Sequence, residues 1–268
     1  MLQCPLCKQS LHFSNGGSLV CENRHCFDIS SKGYVNFVLN QKPSKGYGKL
    51  FFESRRKFLQ AGFYDHIANA IGEIITEHGN GLHIIDAGCG EGFYTLKLAE
   101  QTDATIFAFD YSKDAIKIAS RGGNDVYWMV ADIANIPLKN SRVDCILNIY
   151  TPANYTEFRR VLSSNGVLVK VIPGANHLRE LRQAVRSQLR NEEYSNQQVV
   201  DYFNQHFELV ERKIINQTIP LRKAQLQSLL EMTPLMFGVD AEKVDFSNIT
   251  HITIEAEILL GGLLSPLG

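Results

Sequence analysis

The stretch that most constrains this chain is residues 82–92, where an apolar run, Leu82-His83-Ile84-Ile85-Asp86, ends on an acid and passes into Ala87-Gly88-Cys89-Gly90-Glu91-Gly92. Helical spacing resumes at Phe93 and continues to Glu100, so the unit reads as strand, glycine loop and helix. Further apolar runs at Thr105 to Phe109, Val126 to Val130, Val143 to Ile149 and Val167 to Ile172 alternate with helical stretches at Lys113 to Ser120 and Tyr155 to Leu162. Short connections between alternating strands and helices imply a parallel, doubly wound sheet. Beyond Pro173 the pattern predicts helices at Leu178 to Leu189, Asn196 to Asn204 and Lys223 to Glu231. Two more strands follow at Phe207 to Ile219 and Ile249 to Leu260, making seven. With 268 residues and 44% hydrophobic content, the chain has material for one α/β domain and a small accessory module.

The glycine spacing selects the ligand class. A dinucleotide site wants its last two glycines three apart, so that a helix N-terminus meets the pyrophosphate. Gly90 and Gly92 are two apart and Asp86 opens the motif, which suits S-adenosylmethionine (SAM), a cofactor without phosphate. Asp86, Gly88, Gly90, Glu91 and Gly92 would then admit its methionine portion and meet its amino group. Asp110 would accept from the ribose hydroxyls, and Asp132 from the adenine amino group with Ile133 against the ring. Three acids at the ends of three successive strands support one another, whereas each alone reads equally well as a helix or turn cap. The expected fold is a class I SAM-dependent methyltransferase, Rossmann-like, with a mostly parallel seven-stranded sheet and a small N-terminal zinc-binding module.

That module is indicated by Cys4-x2-Cys7 followed by Cys21-x3-His25, two close ligand pairs separated by a loop, as a tetrahedral zinc requires of a short segment. Cys26 competes with His25 for the fourth position. Four protein ligands make the metal structural, one Zn2+ per chain, stabilising a segment with little core of its own. Cys89 and Cys145 lie in apolar, strand-like contexts, so metal explains the cysteines better than disulfides. Residues 1–60 carry nine Lys or Arg against three acids, a balance of +6 that leaves −7 for the remainder. This asymmetry suits a polyanion-binding segment joined to a catalytic domain, or else a plainly solvated basic surface. Residues 40–49 read as a mobile linker or loop, and apolar spacing from Glu53 to His78 predicts two helices broken at Gly62. The division is thus 1–40 zinc module, 41–80 linker and helices, and 81–268 methyltransferase domain. No apolar run approaches a bilayer span and none resembles a signal peptide, so the expectation is a cytoplasmic protein with no membrane partner.

The order of motifs resembles one family closely, the 23S ribosomal RNA guanine-N1 methyltransferases called RlmA, including their macrolide-resistance branch. The matching residues are Cys4-Pro5-Leu6-Cys7, Cys21-x3-His25-x-Phe27-Asp28, Lys32-Gly33-Tyr34-Val35-Asn36, Arg55-Arg56-x-Phe58-Leu59-x-Ala61-Gly62-x-Tyr64 and the loop from Asp86 to Thr95. Further on come Ile149-Tyr150-x-Pro152, Pro173-Gly174-x-x-His177-Leu178-x-Glu180-Leu181 and Met232-Thr233-Pro234. The resemblance implies His25 as the fourth zinc ligand, and cofactor contacts at Tyr64, at the glycine loop with Phe93 and Tyr94 after it, and at His177. It also implies a homodimer and a target guanine in a 23S rRNA hairpin. Two features depart from the family: only Lys42, Lys45 and Lys49 follow the module where a basic patch belongs, and the tail from Gly261 to Gly268 matches nothing and reads as disordered.

Methyl transfer from a sulfonium is an in-line displacement, so the protein chiefly aligns the nucleophile and excludes water. Guanine N1 carries a proton that some group must accept, and the sequence does not single out that base. Tyr150 and Pro152, at the end of the fourth strand, are placed to line the pocket of an extruded guanine; Tyr150 reads equally as a core aromatic. His177, taken alone, reads as a cap or surface residue. Arg55, Arg56 and Lys57 are expected to contact phosphates. A methyltransferase acting on a small molecule or another RNA would share the SAM loop but has no evident use for a basic zinc module. A non-catalytic zinc RNA-binding protein would have no need of the cofactor acids.

Overall fold

The computed structural model describes residues 1–264 apart from 15, 40–46, 124 and 190–194; Lys42, Lys45 and the tail beyond Leu264 lie outside the described residues. The N-terminal segment forms β1 (Leu11–Phe13), β2 (Ser18–Cys21), β3 (Cys26–Asp28) and β4 (Tyr34–Asn36). Two helices follow, α1 (Lys49–Phe58) and α2 (Asp65–His78). The alternating part runs β5 (His83–Ala87), α3 (Phe93–Gln101), β6 (Thr105–Asp110), α4 (Lys113–Ala119), β7 (Val126–Val130), β8 (Val143–Ile149), α5 (Tyr155–Val161) and β9 (Leu162–Pro173). The chain closes with α6 (Arg179–Ala184), α7 (Gln197–Asn204), β10 (Phe207–Pro220), α8 (Lys223–Met232) and β11 (His251–Leu263).

The central sheet has the order β10-β11-β9-β8-β5-β6-β7-β4, with β11 antiparallel to both neighbours and the pairs from β9 to β4 parallel. Among the described residues it therefore holds eight strands where the periodicity predicts seven. The extra strand is β4, whose three residues pair Tyr34 with Trp128, Val35 with Met129 and Asn36 with Val130 along the free edge of β7. Three residues are too few to show a period of two, so hydrophobic pattern could not reveal it.

Other departures have local causes. Helix α1 begins at Lys49, four residues earlier than expected, and the break falls at Gly62, whose φ of 88° ends a π-helical turn over Leu59–Phe63. Strand β9 begins at Leu162, before the apolar run at Val167: Val143 faces Leu162 and Cys145 faces Val167, so Ser163 to Gly166 form a bulge within it. Residues Gly261 to Leu263, expected in a disordered tail, complete β11, and a Cβ on Gly261 would come within 2.5 Å of the Phe203 ring. The bare backbone lets α7 press onto the sheet. Among the described residues no helix is long and apolar enough to cross a membrane.

The N-terminal segment is not a separate globule. Leu11, Leu19, Phe27, Val35 and Phe37 belong to one buried cluster with Ile85, Phe107, Phe109, Met129 and Leu138 of the larger domain. Phe27 and Phe37 meet edge to face at 5.0 Å. Arg160 of α5 braces the junction, donating to the carbonyls of Leu138 (2.7 Å) and Ile136 (2.8 Å) and to Gln3 Oε1 (3.5 Å), while Glu157 holds its guanidinium. Truncating Phe27, only 3% exposed, removes a filled volume from this shared core. Phe27→Ala is expected to cost about 3–5 kcal/mol in denaturant unfolding while the bound metal content stays unchanged.

Candidate active site and metal centre

A cavity of ≈ 1330 Å3 opens at the carboxyl ends of β5, β6, β8 and β9, and is covered by Phe51, Phe52 and Arg55 of α1. This is where open α/β sheets bind ligands. The three glycines of the loop have different duties there. At Gly88 (φ 82°) a Cβ would stand 2.6 Å from Thr151 Oγ1, and at Gly92 (φ 85°) 2.7 Å from Trp128 Cη2, so both are bare to let protein approach protein. Only at Gly90 (φ 58°) would a Cβ meet nothing closer than Arg55 Nε at 3.8 Å. Its missing side chain leaves a cradle open to the cavity.

The acids divide likewise. Asp110 lines the cavity, and its carboxylate already accepts from the backbone N–H groups of Ser112 (2.7 Å) and Gly90 (3.0 Å), tying β6 to the glycine loop. Burial raises its pKa above the usual carboxylate range. Asp86 is buried beneath the loop, accepts from Thr95 Oγ1 at 2.5 Å, and is pushed up to about 7 by burial. Glu91 is gripped by Arg55 (Nε to Oε2 2.8 Å), leaving its buried Oε1 with no partner among the described residues. Arg55 is therefore not the phosphate contact expected of it. Arg56 also turns inward, donating to the Ile118 carbonyl at 2.8 Å, and of the three only Lys57 is exposed.

Tyr64, Tyr150 and His177 form the far wall. His177 is buried, and burial drives its pKa down to about 3, so the ring is neutral. Its Nδ1 accepts from the Glu255 backbone N–H (3.3 Å), which places the proton on Nε2, 3.4 Å from the Tyr64 hydroxyl oxygen. That leaves the Tyr64 O–H free to donate into the cavity. Tyr150 stacks on His177 at 5.8 Å with a φ of 53°, a left-handed backbone unusual for a tyrosine, held by its N–H to the Val171 carbonyl at 3.0 Å. Pro152, Tyr155 and Tyr202 continue the wall beyond it.

Of the residues expected at the cofactor, the cavity thus brings together Tyr64, Gly88, Gly90, Asp110 and His177, beside Tyr150 and Pro152. Asp86, Glu91, Gly92, Phe93 and Tyr94 lie just behind this wall, Tyr94 with its hydroxyl buried and unpartnered among the described residues. Asp132 is exposed and caps its own turn at Ala134 N (2.9 Å), and neither it nor Ile133 lines the cavity. Arg55, expected at phosphates, faces the cavity instead, and Lys170, a lysine inside an apolar strand, lines it without having been anticipated there.

The residues present fit SAM. The loop is ringed by Asp86, Glu91 and Asp110, a negative environment suited to a ligand bearing an ammonium and a sulfonium. The open cradle at Gly90 and the unpartnered Glu91 Oε1 are the places such a ligand would satisfy.

The N-terminal cluster fits zinc equally well. Cys4, Cys7, Cys21 and His25 place their ligand atoms within 4.8 Å of one another. Cys7 Sγ lies 3.6 Å from Cys21 Sγ, and His25 Nδ1 lies 3.5 and 3.4 Å from the sulfurs of Cys4 and Cys21. A tetrahedral zinc with Zn–S of about 2.3 Å requires edges of about 3.8 Å between sulfurs. Each ligand pair sits on a turn closed by a residue of positive φ, Lys8 (64°) and Arg24 (62°). Cys26 is exposed and points to Asp28 at 3.9 Å, away from the cluster.

Comparison with known proteins agrees with this geometry. The family model described as RlmA, N-terminal, a zinc ribbon, matches residues 2–45, and one described as a methyltransferase domain matches residues 78–232. The YxjB protein of Bacillus subtilis (strain 168), provisionally named a 23S rRNA (guanine-N1-)-methyltransferase, is 36% identical over 97% of this chain and 96% of its own. The 23S rRNA (guanine(748)-N1)-methyltransferase of Streptomyces fradiae is 29% identical over 91% of this chain and 88% of its own.

Two outcomes are expected. Arg55→Met strands the Glu91 carboxylate, whose side chain is 1% exposed, and should lower unfolding free energy by about 3 kcal/mol, with much of the loss recovered in Arg55→Met/Glu91→Gln. Elemental analysis should find one zinc per chain, retained by Cys26→Ser and lost from His25→Ala; metal retained by His25→Ala would remove His25 from the ligand set.

Proposed function

This chain belongs to the RlmA family of methyltransferases, and we propose that it transfers a methyl group from SAM to N1 of a guanine in 23S ribosomal RNA. The observation that carries this reading is one cavity joining the glycine loop to the Tyr150-Thr151-Pro152 segment, in a chain with a zinc ribbon docked on the same sheet.

Bound at the Gly90 cradle, SAM supplies an electrophilic methyl. The chain's own residues do the rest. Asp110 and Gly88 hold the loop in shape, and the neutral His177 presents the Tyr64 hydroxyl as a donor. Asp86, Glu91, Gly92, Phe93 and Tyr94 set the polarity and curvature behind it, and Asp132 and Ile133 are assigned to the adenine end by their position after β7. Tyr150 and Pro152 receive the target base, extruded from its stack, between walls that exclude water. The cavity's breadth supports this, since its lining continues from the loop to Tyr155 and Tyr202.

Residues 1–40 serve as the rRNA-recognition module, residues 41–80 as linker and helices, and 81–268 as the methyltransferase domain. With Arg55 and Arg56 turned inward, phosphate contacts fall to Lys57 and to exposed groups of the module such as Arg24 and Lys32. The family pattern supports a homodimer working in the cytoplasm. Incubating the protein and SAM with 23S rRNA lacking the modification should give 1-methylguanine at a single position by mass mapping. RRNA left unmethylated, or methylated at another atom, would refute the assignment.

A further inference from the structure

Lys170 is the least expected residue in the cavity wall. It sits within β9 opposite Asn148 of β8, is only 4% exposed, and lines the cavity beside Thr151, Pro152 and Tyr155. Its Nζ donates to Asn148 Oδ1 at 2.6 Å and to the Thr151 carbonyl at 3.2 Å. Asn148 cannot turn away, because its amide nitrogen donates to the Pro152 carbonyl at 3.1 Å. Among the described residues no carboxylate stands within ion-pair distance of the amine.

An ammonium has three N–H donors, whereas a neutral amine has two and a lone pair. Two acceptors match the neutral form, and they leave the third tetrahedral position of the nitrogen for the cavity. We propose that Lys170 is the group that accepts the N1 proton of the target guanine, an assignment that rests on the guanine-N1 reading above. In the step, the N1–H proton passes to Nζ while the electron pair left on N1 forms the bond to the methyl carbon. The methyl–sulfur bond breaks with its pair on sulfur, leaving a neutral thioether and a lysine ammonium. The positive charge that began on the sulfonium ends on Lys170, so the closed site neither gains nor loses charge, and the ammonium later yields its proton to water through the cavity mouth.

Burial alone brings the Lys170 pKa down to about 8, so the free amine is accessible near neutrality. The titratable groups of the surrounding elements are Tyr155 of α5, Tyr202 of α7 with His206 after it, Arg182 of α6, and Tyr150 and His177 in the wall, with Asp110 and Arg55 across the cavity. On β11, beside β9, stand Glu255 and Glu257. Asn216 and Asn176 hold Glu255 (2.6 and 2.9 Å), and Arg212 holds Glu257 (2.6 Å).

The test compares full-length wild type, Lys170→Arg and Lys170→Met in single-turnover methylation of 23S rRNA across pH, with SAM affinity measured by calorimetry. A lowered lysine pKa means the base form fills as pH rises, so the wild-type rate should climb through about 8 and level off above it. Arginine keeps a donor for Asn148 and Thr151 but has no usable lone pair, so Lys170→Arg should lose about a hundredfold or more in rate along with the rising limb, with SAM affinity unchanged. In 13C-lysine-labelled wild type, the ε-carbon signal absent from Lys170→Arg should titrate near 8, independent of turnover. A near-wild-type rate in Lys170→Arg, a limb retained in Lys170→Met, or an amine titrating in the ordinary lysine range would each overturn the Lys170 assignment alone. Wild type that leaves guanine N1 unmethylated would overturn the function reading and this inference together. If Lys170→Met fails to fold, the wild-type titration and Lys170→Arg decide.

Discussion

Desolvation of polar groups at the carboxyl ends of β5, β6, β8 and β9 is the constraint around which the site is arranged. Asp86, Glu91, Asn148 and Lys170 are almost fully buried, and Asp110 is half-buried. An unpaired polar group in such a place costs about 2–7 kcal/mol, and an unpaired charge costs far more. Each of these groups therefore recruits a partner, and the partners are what shape the cavity. Thr95 of α3 answers Asp86, the Gly90 and Ser112 amides answer Asp110, Arg55 of α1 answers Glu91, and the Thr151 carbonyl answers Lys170. The covering helix and both ligand-facing loops are thus held in place by the charge balance of the strand ends. Apolar packing alone would not specify that arrangement.

The same bookkeeping separates the two halves of the cavity. Around the glycine loop the buried groups are mostly carboxylates that raise one another's pKa, an excess of negative character that a cationic methyl donor relieves. Around Tyr150 the wall is aromatic, with a single amine and no carboxylate among its lining residues. One half suits a sulfonium and the other the flat face and polar edge of a base. Tyr150 lies at the boundary, in a strained backbone conformation stabilised by the Val171 carbonyl and by stacking on His177.

Much of this was legible in the residues. Val126 to Val130 and Val143 to Ile149 are strands over the predicted residues, because each is a buried run bounded by turn formers. The zinc ligands followed from spacing together with family resemblance, because a metal imposes distances that short loops must obey. What pattern could not reach was long-range partnership. Arg55 looks basic in sequence and becomes a clamp only because Glu91, 36 residues away, needs a counter-charge. Lys170 looks like an interruption of β9 until β8 places Asn148 opposite. The glycines were read alike, yet two of them serve packing against Thr151 and Trp128, tertiary neighbours that no local motif reveals. Asp132 follows its strand as the pattern requires, but its carboxylate caps its own turn and does not line the cavity.

The pairing of β4 with β7 has a consequence for how the protein keeps company with its own copies. A parallel sheet ending at β7 would present a row of open backbone donors and acceptors, the template on which chains add to one another and aggregate. Here part of that row is covered by β4, which follows the metal-binding turns and packs into the shared core. The opposite margin, β10, is guarded differently, by Glu208, Glu211, Arg212 and Lys213 along its length. A chain whose metal-binding turns failed to form would leave β7 exposed along that edge, so the metal site guards the sheet as well as its own module.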